Sequence, residues 1–194
     1  TNEETELGRV CVNTTEADKD FVLFGFIEYE KNRPEVLKLL MDEVDNFAHK
    51  KSKKSIMGPI DINVWFGNRL KKSGFAEQRP WEPNSPKEYL DDILKLGYTL
   101  DQDYLSAFYV DGKVSIDRTK PAYGKAVSEG YTFRNLDPST SEETQKLYQT
   151  NIKGFCFNYF YEPISYEEYV STQIKALDGF DFQYSFWIMD TNGQ

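Results

Sequence analysis

The chain has 194 residues, 15% of them aromatic and 28% charged, with a formal net charge of -9. Such a length accommodates one domain with a sizeable core, and the composition is that of a folded protein, which excludes a disordered chain. The negative balance argues against an electrostatic grip on nucleic acid or on an anionic membrane surface.

Leu7 to Asn13 and Phe21 to Glu30 read as two strands of a hairpin, the second rich in Phe, Val, Leu and Ile. The clearest helix follows, with Val36, Leu37, Leu40, Val44, Phe47 and Ala48 at helical spacing, Asn32 as its N-cap and Glu35 three places on. Ser55 to Ile60 returns as a strand, so the order strand, helix, strand predicts a crossover and a parallel pair, which can frame a ligand cleft at its carboxyl end. Gly58-Pro59 stops that strand, and Asn63, Trp65, Phe66 and Asn68 follow closely, a pattern that suits either the mouth of a site or an aromatic-anchored turn.

A proline-rich loop over 79–84 leads to a helix opened by Ser85-Pro86-Lys87-Glu88, with Tyr89, Leu90, Ile93 and Leu94 inward and Gly97 at its end. Leu100 to Val110 reads as a strand that Asp111-Gly112 turns into Lys113 to Ile116. Residues 117–130 read as a connector with a short helix, and Tyr131 to Asn135 as a strand. Ser139 to Phe157 reads as a helix with Leu147, Ile152 and Phe155 inward, and Ser165 to Glu168 as a capping box opening another. Phe182 to Met189 is the last expected strand, ending in the turn Asp190-Thr191-Asn192-Gly193.

Cys11 and Cys156 do not make a disulfide framework, no apolar run approaches the roughly 20 residues of a membrane span, and the opening residues lack signal-peptide character. A soluble, cytoplasmic protein is expected. His49 is the lone histidine, beside Lys50, Lys51, Lys53 and Lys54; it anchors no His-rich metal site, no metal is expected, and the lysines read as a solvated helix end.

Phe24-Gly-Phe-Ile-Glu-Tyr-Glu30, the helix after it, Ile56-Met-Gly-Pro-Ile60, and Pro83-Asn-Ser-Pro-Lys-Glu-Tyr89 running to Leu96-Gly-Tyr98 resemble elements of the GNAT superfamily of acyl-CoA-dependent N-acyltransferases. They are similar to its strand four, helix three, strand five and following helix. Tyr131-Thr-Phe-Arg-Asn-Leu-Asp137, the helix carrying Leu147-Tyr148 and the strand ending at Asp190-x-Asn-Gly193 resemble the family's opening elements. The later part of the fold therefore comes first. Two arrangements fit that order, one GNAT-like domain in permuted order or the middle of a tandem GNAT protein. The preferred expectation is one domain over 1–194, with 1–116 as the rear half of the fold, 117–130 as connector and 131–194 as the front half, its two segments completing one sheet.

The resemblance implies an α+β fold with a mixed, mostly antiparallel sheet flanked by helices, and acetyl-CoA as the acyl donor to an amine of a small molecule or peptide. It implies that the thioester lies between the splayed fourth and fifth strands, with the pyrophosphate where strand four meets helix three. The family's glycines are absent there, and Glu30-Lys-Asn-Arg-Pro34 stands instead, so Lys31, Asn32 and Arg33 are the candidates for that contact, with Asn84 as a further cofactor neighbour. Glu28 is the candidate base and Tyr89 the candidate acid, each with a plain reading as surface carboxylate or packing tyrosine. Asn63, Trp65 and Asn68 would lie near the cleft mouth on the acceptor side. The alternative is a non-catalytic GNAT-like module for binding or assembly with a degenerate cofactor loop. Unpaired sheet edges offer a route to homo-oligomers.

Overall fold

Val22, Leu23 and Phe24 are among the most deeply buried residues of the protein, and the strand that carries them sits at the centre of the larger of two sheets. The computed structural model describes residues 6–79, 82–107 and 111–193. The fold is α+β. Contacts divide it into two units, Thr1–Gln102 with Phe155–Pro163, and Asp103–Gly154 with Ile164–Gln194.

In the first unit, β1 (Gly8–Thr14) pairs antiparallel with β2 (Phe21–Tyr29), and β2 pairs parallel with β3 (Ser55–Met57) through the crossover helix α1 (Pro34–Lys50). The hairpin, the helix and the parallel return all follow the hydrophobic pattern. α1, which also buries Ala48, packs Val36, Leu37, Met41 and Val44 against Phe24, Ile27 and Tyr29 of β2 and against Tyr89 and Ile93 of α2 (Glu88–Lys95). Each such side chain contributes about 1.5–3 kcal/mol on leaving water. Met41 was not part of the expected face. Leu40 and Phe47 lie at its half-buried margins.

Several boundaries differ from expectation. Asn32 adopts a left-handed backbone, φ 64°, so Arg33 is the N-cap of α1 and Pro34 enters its first turn; the cap carries no side-chain hydrogen bond. β3 stops at Met57, ahead of Gly58-Pro59, and Ile60 makes a single bridge to Asn68. Ser85 does not cap α2. Its hydroxyl accepts instead from the Lys71 N–H at 2.8 Å, and Lys87 stands at the cap position.

The expected strand over 100–110 is not found in residues 100–107, which have no ladder partner and leave Leu100, Tyr104 and Leu105 exposed; residues 108–110 lie outside the described residues. The expected Asp-Gly hairpin is a helix start. Asp111 accepts from the Lys113 N–H at 2.9 Å and caps α3 (Gly112–Ser128), because an aspartate that serves a turn serves an N-cap equally well. The expected strand Lys113 to Ile116 and the connector thus become one helix, of which no residue is buried.

In the second unit, β4 (Thr132–Asn135) and β5 (Phe186–Met189) form an antiparallel ladder. The chain before β5 is a short 3-10 turn, Phe182–Tyr184, not strand. α4 (Ser141–Phe155) is tied to the ladder by Glu143, which accepts two bonds from Arg134 at 2.9 and 2.8 Å and one from Trp187 Nε1 at 2.7 Å. Leu147 and Ile152 are half-buried on α4, while Phe155 is 45% exposed. α5 (Tyr166–Tyr169) opens as predicted, Ser165 accepting from the Glu168 N–H at 3.1 Å. One sheet completed by both ends of the chain is not what the pairing gives: β1 lies beside β2, and β5 beside β4, in separate sheets.

Candidate functional site

β3 pairs with Phe21–Leu23 at the start of β2, while α1 begins past the other end of that strand, after Tyr29, and between the two lies an irregular stretch of β2. β2 carries an extra residue there: Arg9 pairs with Glu28 and Cys11 with Gly25, so Val10 faces both Phe26 and Ile27. Phe26, at φ 48°, turns its N–H out of the ladder. Asp61 takes that N–H on its Oδ1 at 2.5 Å. One step earlier the Ile60 N–H donates to the Phe24 carbonyl at 2.8 Å. Gly25 makes this approach possible, since a Cβ there would stand 2.3 Å from the Ile60 carbonyl oxygen. The two strands therefore stay pinned through residue 61, and the splay expected between them is bridged by backbone and by the Asp61 carboxylate.

The loop after Asp61 is held by its own amides. The Asp61 N–H donates to the Gly67 carbonyl at 2.7 Å, Asn63 accepts from the Trp65 N–H at 3.0 Å, and Asn68 Nδ2 reaches the Val64 and Phe66 carbonyls at 3.2 and 3.3 Å. Asn63 is 7% exposed, so its amide serves the loop from within. The Trp65 indole N–H donates to the Glu162 carbonyl at 2.8 Å. Asn63, Trp65 and Asn68 are thus brought together on one loop.

At the start of α1, Glu35 binds Arg33 and its own backbone N–H, and both contacts hold its carboxyl below the ordinary range, the Arg33 contact first. Arg33 also reaches Glu30 at 3.4 Å, and its guanidinium is pushed up in turn, chiefly by Glu35. Pro34 has no N–H, and the Val36 N–H donates to the Arg33 carbonyl at 2.9 Å. Lys31 lies 3.9 Å from Glu88. A pyrophosphate does not fit this turn as it stands: a carboxylate already occupies the donor that α1 would offer it. Asn84 accepts from Gln78 at 3.3 Å.

Glu28 and Tyr89 come to adjacent positions of β2 with different surroundings. Glu28 pairs with Arg9 at 3.0 Å, both side chains about two-thirds exposed at 65% and 64%. Tyr89 is 6% exposed, stacks on Tyr29 with ring centroids 4.4 Å apart, accepts from the Tyr29 N–H at 3.0 Å and donates to its carbonyl at 3.3 Å. Its hydroxyl supplies the ladder bonds that no strand provides at that edge. Tyr29 in turn donates to Asp92 at 2.9 Å, and burial, then Asp92, pushes its phenol up.

Asp61 and Glu162 are residues that shape this region and that sequence reasoning did not find, while Glu35, expected as a capping-box partner of Asn32, binds Arg33 instead. Asp61 had one signal, a carboxylate two places after a Gly-Pro stop. No protein-family model, curated protein or solved structure matches the chain.

Proposed function

We propose that the chain is GNAT-like in architecture and serves acyl-CoA-dependent N-acyl transfer, acetyl in the simplest case, to an amine of a small molecule or peptide. The observation that supports this reading is the crossover β2–α1–β3, a parallel pair with a bulge in β2 between the β3 pairing and the start of α1. The reading asks for two exchanges. Glu35 must yield its N–H and Arg33, and Asp61 must yield the Phe26 N–H. Exposed ion pairs are worth about 0–1 kcal/mol and a single hydrogen bond about 0.5–1.5 kcal/mol net, so the two exchanges together cost about 1–4 kcal/mol of the ligand's binding free energy. Unliganded geometry alone does not disqualify such a site. Glu28, already in water beside Arg9, is the carboxylate proposed as base; Tyr89 would act as acid only by giving up both contacts to Tyr29.

Calorimetry of the folded chain with CoA and acetyl-CoA tests this. Saturable binding that weakens roughly tenfold or more in K31A/R33A is expected. No binding at millimolar ligand sinks the proposal.

A second reading, a GNAT-like module for binding or assembly, is favoured by one specific observation: the Asp61 carboxylate occupies the donor of the bulge. It predicts no CoA binding and self-association through strand edges, which sedimentation velocity would detect; a monomer at high concentration counts against the assembly form. Of the two element orders, the tandem middle draws support from the separate sheets. Among the described residues no helix is long and apolar enough to cross a membrane.

A further inference from the structure

Residues 155–163 group with the first unit, although the chain on both sides of them groups with the second. Within the first unit this segment makes a concentrated set of contacts. Phe155 meets the Trp65 ring edge-on at 6.1 Å, Tyr161 lies 5.9 Å from it, Phe160 packs edge-on against Phe21 at 5.2 Å, and the Tyr159 hydroxyl donates to Asp101. Glu162 has two roles at once. Its carbonyl accepts from Trp65 Nε1 at 2.8 Å. Its Oε1 accepts from the Thr15 hydroxyl, the Glu16 N–H and the Ala17 N–H, the last at 2.7 Å. Thr15 is 3% exposed, so its hydroxyl is presented to the carboxylate from inside the fold.

Three donors converging on one oxygen make a backbone nest, a concavity suited to an anion, and here the anion belongs to the chain itself. Phe160 holds φ 53°, a left-handed conformation that a bulky residue keeps only when its surroundings enforce it.

We propose that Glu162 is a positioning residue for Trp65: its carboxylate, seated in the Thr15–Ala17 nest, fixes the carbonyl that orients the indole. The functional weight of this rests on the reading of Trp65 as an acceptor-side residue; the mechanical link does not. Hydrogen exchange by NMR separates the two, since it needs no acyl donor, and lack of acetyl-CoA binding would leave the expected rates untouched.

In E162A, exchange of the Glu16 and Ala17 amides is expected to rise about tenfold, and exchange of the Trp65 indole N–H, assigned by its loss in W65F, to rise with them. The amides of Val22, Leu23 and Phe24 stay within about twofold and serve as internal control. An indole rate that does not change while Glu16 and Ala17 speed up overturns the proposal. So does a uniform rise that includes the three strand amides, because that is general destabilisation. Should E162A fail to fold, E162Q keeps the shape without the charge and is read the same way, with a rise of about threefold expected.

Discussion

Replacing Glu143 by Gln tests how the second unit is held together. Glu143 takes two bonds from Arg134 and one from Trp187, and the Arg134 guanidinium, lying 5.8 Å from the Trp187 ring, completes the cluster. Arg134 first, then Trp187, lowers the Glu143 carboxyl from 4.5 to about 2 against the opposing effect of burial. Unscreened, that difference is worth about 3 kcal/mol at neutral pH. The Arg134 side chain is 41% exposed, while that of Glu143 is 12% exposed, so solvent reduces the figure to about 1–2 kcal/mol. The carboxyl is lower in the folded state, so its contribution is complete above pH 4.5 and is lost as pH falls toward 2. Native-state hydrogen exchange of the β4–β5 ladder, including the Leu136 N–H that donates to Ser185, reads this directly. At pH 7, E143Q should exchange about 5- to 30-fold faster than the parent, after correction for intrinsic rates. Between pH 4.5 and 2 the parent should lose that margin while E143Q, lacking the carboxyl, stays level. Equal ladder protection at pH 7, or identical pH slopes for the two proteins, would refute the reasoning.

Y89F removes the hydroxyl bonded to the buried Tyr29 backbone at that edge, and a loss of about 1–3 kcal/mol is expected in urea denaturation. An unchanged urea midpoint would mean that the hydroxyl has another purpose. G25A drives a methyl into the Ile60 carbonyl and should cost about 1–3 kcal/mol or more, seen as a lower Tm; a variant as stable as the parent would show that the 58–61 segment does not lie against β2. E35Q clears the start of α1, and if the acyl-transfer reading is right, calorimetry should find acetyl-CoA bound about two- to fivefold more tightly. Weaker binding would place Glu35 outside the cofactor's path.

The first unit was largely legible because its information is local and periodic. Alternation in Phe21–Tyr29 and 3.6-residue spacing over Val36–Ala48 follow from which faces leave water, and a strand-helix-strand order demands a parallel pair. The second half was less legible. Asp111-Gly112 suits a hairpin turn and a helix cap alike, and the chain after it is helix from Gly112 to Ser128.

Of the candidate residues, three share a loop, and what each is bonded to was not readable. Asn63, Trp65 and Asn68 share a loop because they are close in sequence. Asp61 on the Phe26 N–H, Tyr89 on Tyr29 and Glu162 on Thr15 span 35, 60 and 147 residues. The sequence by itself determined the α+β class, the β1–β2 hairpin, the α1 crossover and the apolar faces that form the core. Only the tertiary structure decided that there are two sheets and that the expected donors carry partners from within the chain. The physical reason is that burial pattern is encoded residue by residue, whereas a hydrogen bond between distant residues depends on backbone positions fixed only once the whole core has packed.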